Sequence, residues 1–262
     1  MKIEIEQVKL MRILDYLSVD GLFEFPIITV KDGELLSIQK VKDGFGYRAA
    51  CFMSEYFKSL SSKQESVKIE LAKVKSFATI RKSTDIITLE YPSPVGKNKL
   101  RLSSGPAKTN ISVMTVEEGE IKTKFPYTVK NKVPYIKKGK VALDTRVVIS
   151  ANSLKEIDAY RSLHKLKTTY YRFVVGEDRK LKVFIGGKQS LDDSTEYTPP
   201  GQKVYSDGMA VDVTFVKGIR EIAKTFTADI SAYLRTNEAA IFYEESQSHK
   251  FSMLLAPKTR EK

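Results

Sequence analysis

The stretch LAKVKSFATIRKSTDIITL, residues 71–89, is answered by FVKGIREIAKTFTADISAY, residues 215–233. Each opens on a large apolar residue, carries a lysine two positions on (Lys73, Lys217), and runs through an amphipathic segment into Asp-Ile and a strand pattern (Asp85-Ile86, Asp229-Ile230). The copies lie 144 positions apart, and the same offset pairs Ile3 with Val147, Ile5 with Ile149, Leu10 with Leu154, Ile13 with Ile157 and Tyr16 with Tyr160. One apolar coincidence between two helices carries little weight, but one offset holding at two separate places argues for duplication. The chain therefore reads as two pseudo-repeated domains, 1–116 and 144–262, joined by an interdomain connector at 117–143.

With 262 residues and 42% hydrophobic content, each half can bury a core of its own. No apolar run is long enough to span a membrane, and Met1-Lys2-Ile3-Glu4-Ile5 enters a strand pattern directly. The expectation is an intracellular protein without membrane association, cytoplasmic in an archaeal or phage setting and nuclear in a eukaryotic one. The single Cys51 lies in an apolar run and reads as a small buried hydrophobe, which excludes an intrachain disulfide. Forty-four Lys and Arg against 32 Asp and Glu give a net charge of +12, which favours a polyanionic partner such as nucleic acid.

Apolar periodicity predicts helices over 8–17, 72–82, 153–165 and 216–226, two in each half, among many antiparallel strands, an α+β architecture. Asp32-Gly33 marks a tight hairpin turn. The connector lacks clean periodicity and holds six lysines and no acid between Lys124 and Lys140. Its apolar residues, Phe125 to Ile136, are too many for a flexible spacer, so part of it should pack or pair as a strand.

All four predicted helices set cations opposite an apolar face. The first offers Lys9 and Arg12 with Tyr16; the second Lys73, Lys75 and Lys82; the third Lys155, Arg161 and Lys165; the fourth Lys217, Arg220 and Lys224. Duplication could bring the four stripes to one surface that tracks a phosphate backbone without reading bases. The inventory speaks against an enzyme. His164 and His249 read as surface residues, no phosphate-binding glycine loop appears, and Glu117-Glu118, Asp192-Asp193 and Glu244-Glu245 read as solvated turns and strand ends. No cofactor or metal is expected.

The closing strand Phe251-Ser252-Met253-Leu254-Leu255-Ala256-Pro257-Lys258, with Asp85-Ile86-Ile87-Thr88-Leu89 after the second helix, resembles the sliding clamps of the proliferating cell nuclear antigen (PCNA) family. That resemblance covers essentially the whole chain and implies a trimeric ring, of identical chains or of paralogues, with helices lining a channel around double-stranded DNA. It implies partners (DNA polymerase, clamp loader, ligase or nuclease) that dock through short peptides. The docking site carried over comprises Ile38 on the loop after the Leu35-Leu36 strand, Phe125, Pro126 and Tyr127 on the connector, Ala239 on a neighbouring strand, and Leu254, Ala256, Pro257 and Lys258 at the tail. The subunit contact would pair an edge strand containing Asn110, Ile111, Ser112 and Val113 with one formed by Gly187, Lys188, Gln189, Ser190 and Leu191 of the next chain. Clamps of this family are usually acidic overall, so the +12 is a departure. It suits the alternative of a clamp-fold accessory factor in viral or specialised replication, transcription or damage response that holds DNA by charge as a monomer or dimer.

Overall fold

The structure is a computed structural model that describes residues 1–41, 45–61, 63–137, 139–164, 166–187, 194–206 and 210–258, with Glu118 described by its backbone alone. The chain divides into two compact units, one formed by 1–39, 48–124 and 245–251 and the other by 40–47, 125–244 and 252–262. Architecture is α+β, with strands that pair antiparallel.

The first unit runs β1 (Lys2–Glu6), α1 (Gln7–Ser18), β2 (Ile27–Lys31), β3 (Glu34–Lys40), β4 (Gly46–Phe52), β5 (Ser59–Leu60), β6 (Glu65–Lys68), α2 (Leu71–Thr79), β7 (Ile86–Glu90), β8 (Lys99–Ser104) and β9 (Ala107–Ser112). Its strands lie in the orders β5-β1-β7-β8-β9 and β6-β2-β3-β4. Alternation in β1 sends Ile3 and Ile5 inward, where the stripe Leu10, Ile13, Leu14 and Leu17 of α1 is also buried. Asp32 and Gly33, both at positive φ, close the β2–β3 hairpin between Lys31 and Glu34.

Helix α1 stops at Val19, which turns left-handed at φ 46. A buried cation holds that end. Arg48, fully buried, donates from Nη1 to the Leu17 carbonyl and from Nη2 to Ser37 Oγ (2.5 Å) and Gln39 Oε1 (2.9 Å), with its guanidinium 4.6 Å from the Phe23 ring centre. Every one of these acceptors is neutral, and burial pushes the Arg48 pKa down to about 9.

The second unit runs β10 (Thr128–Lys130), β11 (Val133–Ile136), β12 (Val141–Ala142), β13 (Thr145–Ile149), α3 (Ala151–Tyr160), β14 (Tyr170–Val175), β15 (Leu181–Gly186), β16 (Ser194–Tyr197), β17 (Lys203–Tyr205), β18 (Val211–Phe215), α4 (Ile219–Thr225), β19 (Ile230–Leu234), β20 (Ala240–Glu245) and β21 (His249–Leu255), the last three residues of the first unit coming from the start of β21. Its sheets are β10-β11-β12, β16-β15-β14-β18 and β17-β13-β19-β20. Phe173, Phe215 and Phe242 meet edge to face at 5.6–5.9 Å in its core. Ser150 caps α3 by accepting from the Ser153 amide at 3.0 Å.

Several sequence expectations are corrected here. Helix α2 ends at Thr79, so Lys82 lies beyond it. Helix α4 begins only at Ile219, because Gly218 at φ 93 separates it from β18; Phe215 closes that strand and Lys217 precedes the helix. Helix α3 ends at Tyr160, and a single 3-10 turn over Arg161–Leu163 follows. The repeat holds for α1 and α3 but slips by one residue in the paired strands: Ile5 faces Ile87, whereas Ile149 faces Ile230. Ile86 is consequently 37% exposed while Ile230 is buried.

Tyr16 does not lie on the cationic face of α1. It is fully buried, 4.7 Å from the Phe251 ring, and its hydroxyl accepts from Arg12 Nη2 at 2.9 Å and meets His249 Nε2 at 3.2 Å. Two partners for its oxygen let the phenol go inside. His249, expected in an exposed turn, opens β21 and packs against Tyr16, Phe52 and Tyr56. His164 meets Thr195 Oγ1 at 2.9 Å. The connector forms the three-stranded meander β10-β11-β12, turned by Asn131 and Lys132 at φ 50 and 65. Among the described residues no helix is long and apolar enough to cross a membrane.

Gly46 is tightly held: a Cβ there would fall 2.5 Å from the Leu254 carbonyl oxygen. Gly46→Ala is expected to destabilise the protein by about 1–3 kcal/mol, since backbone must move. Gly119→Ala, with nothing within 4 Å, serves as the control and should stay within about 0.5 kcal/mol in urea denaturation.

Candidate nucleic-acid and docking surfaces

In each unit two helices pack together, α1 with α2 and α3 with α4. Their undersides are apolar: Leu71, Val74, Phe77 and Ala78 on α2, Ala151, Leu154 and Ile157 on α3, Ile219, Ile222 and Ala223 on α4 are buried. The opposite faces carry the cations, but the two pairs differ in how far those cations are neutralised.

In the first unit acids answer them. Lys9 lies 3.9 Å from Glu6, Lys73 2.6 Å from Glu70, and Lys75 reaches across to Asp15 at 3.1 Å. Arg12 is half-buried with its guanidinium against the Tyr16 ring. The Lys82 side chain is exposed beyond α2.

In the second unit Arg161 lies 3.5 Å from Asp158, a carboxylate that also accepts from the Tyr171 hydroxyl. Burial, then Asp158, pushes the Tyr171 phenol up. Lys155 and Arg220 are exposed and have no ion-pair partner among the described residues. Lys224 is exposed in the last turn of α4, and Lys217 sits 5.6 Å from the Phe45 ring. Lys165 lies outside the described residues.

Three of the expected docking residues are brought together in the second unit. Tyr127, Ala239 and Leu254 pack on the buried cluster Ile136, Leu143 and Ile241, joined by Val141, Tyr233 and Tyr243. The Tyr127 hydroxyl donates to Ser252 Oγ at 3.3 Å, and the Phe125 ring lies 5.6 Å from Tyr127. Pro126 is half-buried, and Ala239 precedes β20 rather than lying within a strand. The tail is pinned: the Ala256 amide donates to the Phe45 carbonyl at 2.7 Å, the Lys258 amide to Thr214 at 2.8 Å, and Lys258 Nζ to the Tyr170 hydroxyl at 3.3 Å. Ala256 is exposed and Pro257 half-exposed. Ile38 is corrected: it lies inside β3, 4% exposed within the first unit, not on a loop. Sequence reasoning missed Ile241, Tyr233 and Tyr243; the spacing of two between Ile241 and Tyr243 in β20 was the available signal, and Tyr233 joins them as the β19 partner of Ile241.

Asn110, Ile111 and Ser112 lie in β9, at the end of its sheet, and Val113 follows it. The Val113 amide is used within the chain, donating to Asn98 at 3.1 Å, so pleat alternation turns the Ser112 amide outward. Gly187 follows β15 outside any strand, and β15 is itself flanked by β14 and β16. Lys188, Gln189, Ser190 and Leu191 lie outside the described residues. The available edge on that side is β16.

No family sequence model matches the chain, and no curated protein matches it. Solved structures do. PCNA from Entamoeba histolytica matches with a TM-score of 0.78 over 98% of both chains at 12% identity. PCNA of A. fulgidus, solved with the C-terminal region of FEN-1 bound, gives 0.74 over 100% of this chain and 99% of that one at 11% identity. PCNA from Thermococcus kodakaraensis gives 0.74 over 98% and 99% at 12% identity. Across essentially its whole length, the chain has the fold of the PCNA sliding clamps, in a sequence far diverged from theirs.

Proposed function

We propose that the chain is a DNA sliding clamp, a processivity factor that encircles duplex DNA as a trimeric ring and docks replication and repair enzymes. The observation that carries this reading is the pair of helices in each unit, apolar beneath and cationic above, within a fold matched end to end by PCNAs. The helical cations contact phosphates from inside the ring, two domains flank the connector, and β9 of one copy adds to the β16 edge of the next. The +12 charge favours a second reading, in which a monomer or dimer of the same fold holds DNA by charge alone.

Duplex binding tests the helix faces. Lys155→Glu and Arg220→Glu should weaken affinity for duplexes of any sequence and each lower the salt slope by about 0.9. Lys73→Glu and Lys75→Glu should do less, because Glu70 and Asp15 already offset those charges. Filter binding across a salt series checks both; unchanged affinity in the first two variants would remove the helices from the interface.

Assembly is checked by sedimentation. Wild type should run as a trimer at micromolar concentration, and Ser112→Pro should run as a monomer with native circular dichroism, since it deletes an outward-facing donor and no bond of the chain's own ladder. A wild type that stays monomeric or dimeric with DNA bound selects the second reading.

Docking is read by calorimetry. Lys130 and Lys132 are exposed on the connector that also carries Tyr127, so peptides with an aromatic pair flanked by Asp or Glu should bind tighter than basic counterparts, with the difference vanishing in high salt. Ala256→Asp should weaken both peptides.

A further inference from the structure

The open face of β17-β13-β19 carries a row of side chains that the helix faces do not use and of which the docking cluster takes only Tyr233. Register sets Tyr205, Arg146 and Tyr233 directly opposite one another on three adjacent strands. The Arg146 guanidinium lies 5.5 Å from the Tyr205 ring centre and 5.9 Å from that of Tyr233, and its Nε donates to Ser231 Oγ at 3.1 Å. One row along, Lys203 faces Val148. Alternation turns Thr145, Val147 and Ile149 of β13 inward, so this row points away from the core.

The connector covers only one end of it. Tyr233 packs against the cluster of Ile136, Leu143 and Ile241, but Tyr205 at the sheet edge remains 54% exposed. Among the described residues, neither the Tyr205 hydroxyl nor the Lys203 ammonium has a partner. The nearest carboxylate along β13, that of Asp144, already lies 3.7 Å from Arg235. The result is a platform at the sheet edge, an exposed aromatic ring with the Arg146 guanidinium over it and the Lys203 ammonium two residues away on the same strand.

Those features answer one chemistry. An exposed aromatic ring at a sheet edge, with one cation on the neighbouring strand and another two residues along its own, stacks on an unpaired base while the cations take its phosphates. A duplex cannot use it, because its bases are already stacked on each other. An acidic peptide would satisfy the charges and leave the ring unused. We propose that this platform binds single-stranded DNA, at a site separate from the helix faces. That the strand is DNA rests on the clamp reading above; the stacking chemistry does not.

Fluorescence anisotropy with a labelled 20-residue oligothymidylate tests it. Tyr205→Ala should weaken binding roughly 5- to 150-fold, the range of one lost base stack. Tyr205→Phe should keep wild-type affinity, and Lys203→Glu should weaken binding and lower its salt slope. Duplex affinity of Tyr205→Ala should equal that of wild type. Oligothymidylate affinity unchanged by Tyr205→Ala, an equal loss in Tyr205→Phe, or equal displacement of the oligonucleotide by polyglutamate from wild type and Tyr205→Ala would each overturn the proposal. Failure of the clamp reading shows elsewhere, as duplex binding insensitive to Lys155→Glu and Arg220→Glu.

Discussion

Burial of one face of four short helices is the constraint on which the rest depends. They run 12, 9, 10 and 7 residues, at or below the length at which a helix in water is marginal. None could persist by propensity. Each exists because residues such as Leu14, Val74, Ile157 and Ile222 are taken out of water, at about 1.5–3 kcal/mol per large apolar side chain. The same burial decides where the cations go, since a lysine on the inner face would forfeit its hydration without a partner. Charge display is thus a by-product of packing.

The two helix pairs use that freedom differently. On α1 and α2 the lysines are answered by Glu6, Glu70 and Asp15, whereas Lys155 and Arg220 face solvent unanswered. The two pairs share a scaffold while their ion pairing differs. Exposed pairs contribute little to stability, so such a difference costs the fold almost nothing.

Local periodicity made the helices and their count legible, because burial writes itself into spacing. Helix α1 and its copy begin at Gln7 and Ala151, in the expected relation. What stayed hidden was set by partners distant in sequence. Phe215 reads equally well as the start of a helix or the end of a strand, and only Gly218 in a left-handed conformation decides between them. Tyr16 has the spacing of a surface residue, and its place inside depends on Arg12 and on His249, more than two hundred positions away. The connector meander rests on Asn131 and Lys132 adopting positive φ; Asn131 is an ordinary turn residue, but Lys132 stands where a glycine usually follows it, which weakens the mark. Of the residues expected at the docking site, Tyr127, Ala239 and Leu254 fall on one cluster, while Ile38, placed on a loop by the resemblance, lies inside β3.

The last strand gives the chain an order of assembly. Residues 245–251 complete the first unit, and Phe251 and His249 close over Tyr16 there. A ribosome that has made 1–124 leaves that aromatic pocket unfilled and must add all of 125–244 before the missing piece emerges. Contacts of such long separation slow folding and leave apolar surface open meanwhile. Unlike a string of domains that mature one after another, this unit waits on a strand made after 125–244, so a core begun early closes late.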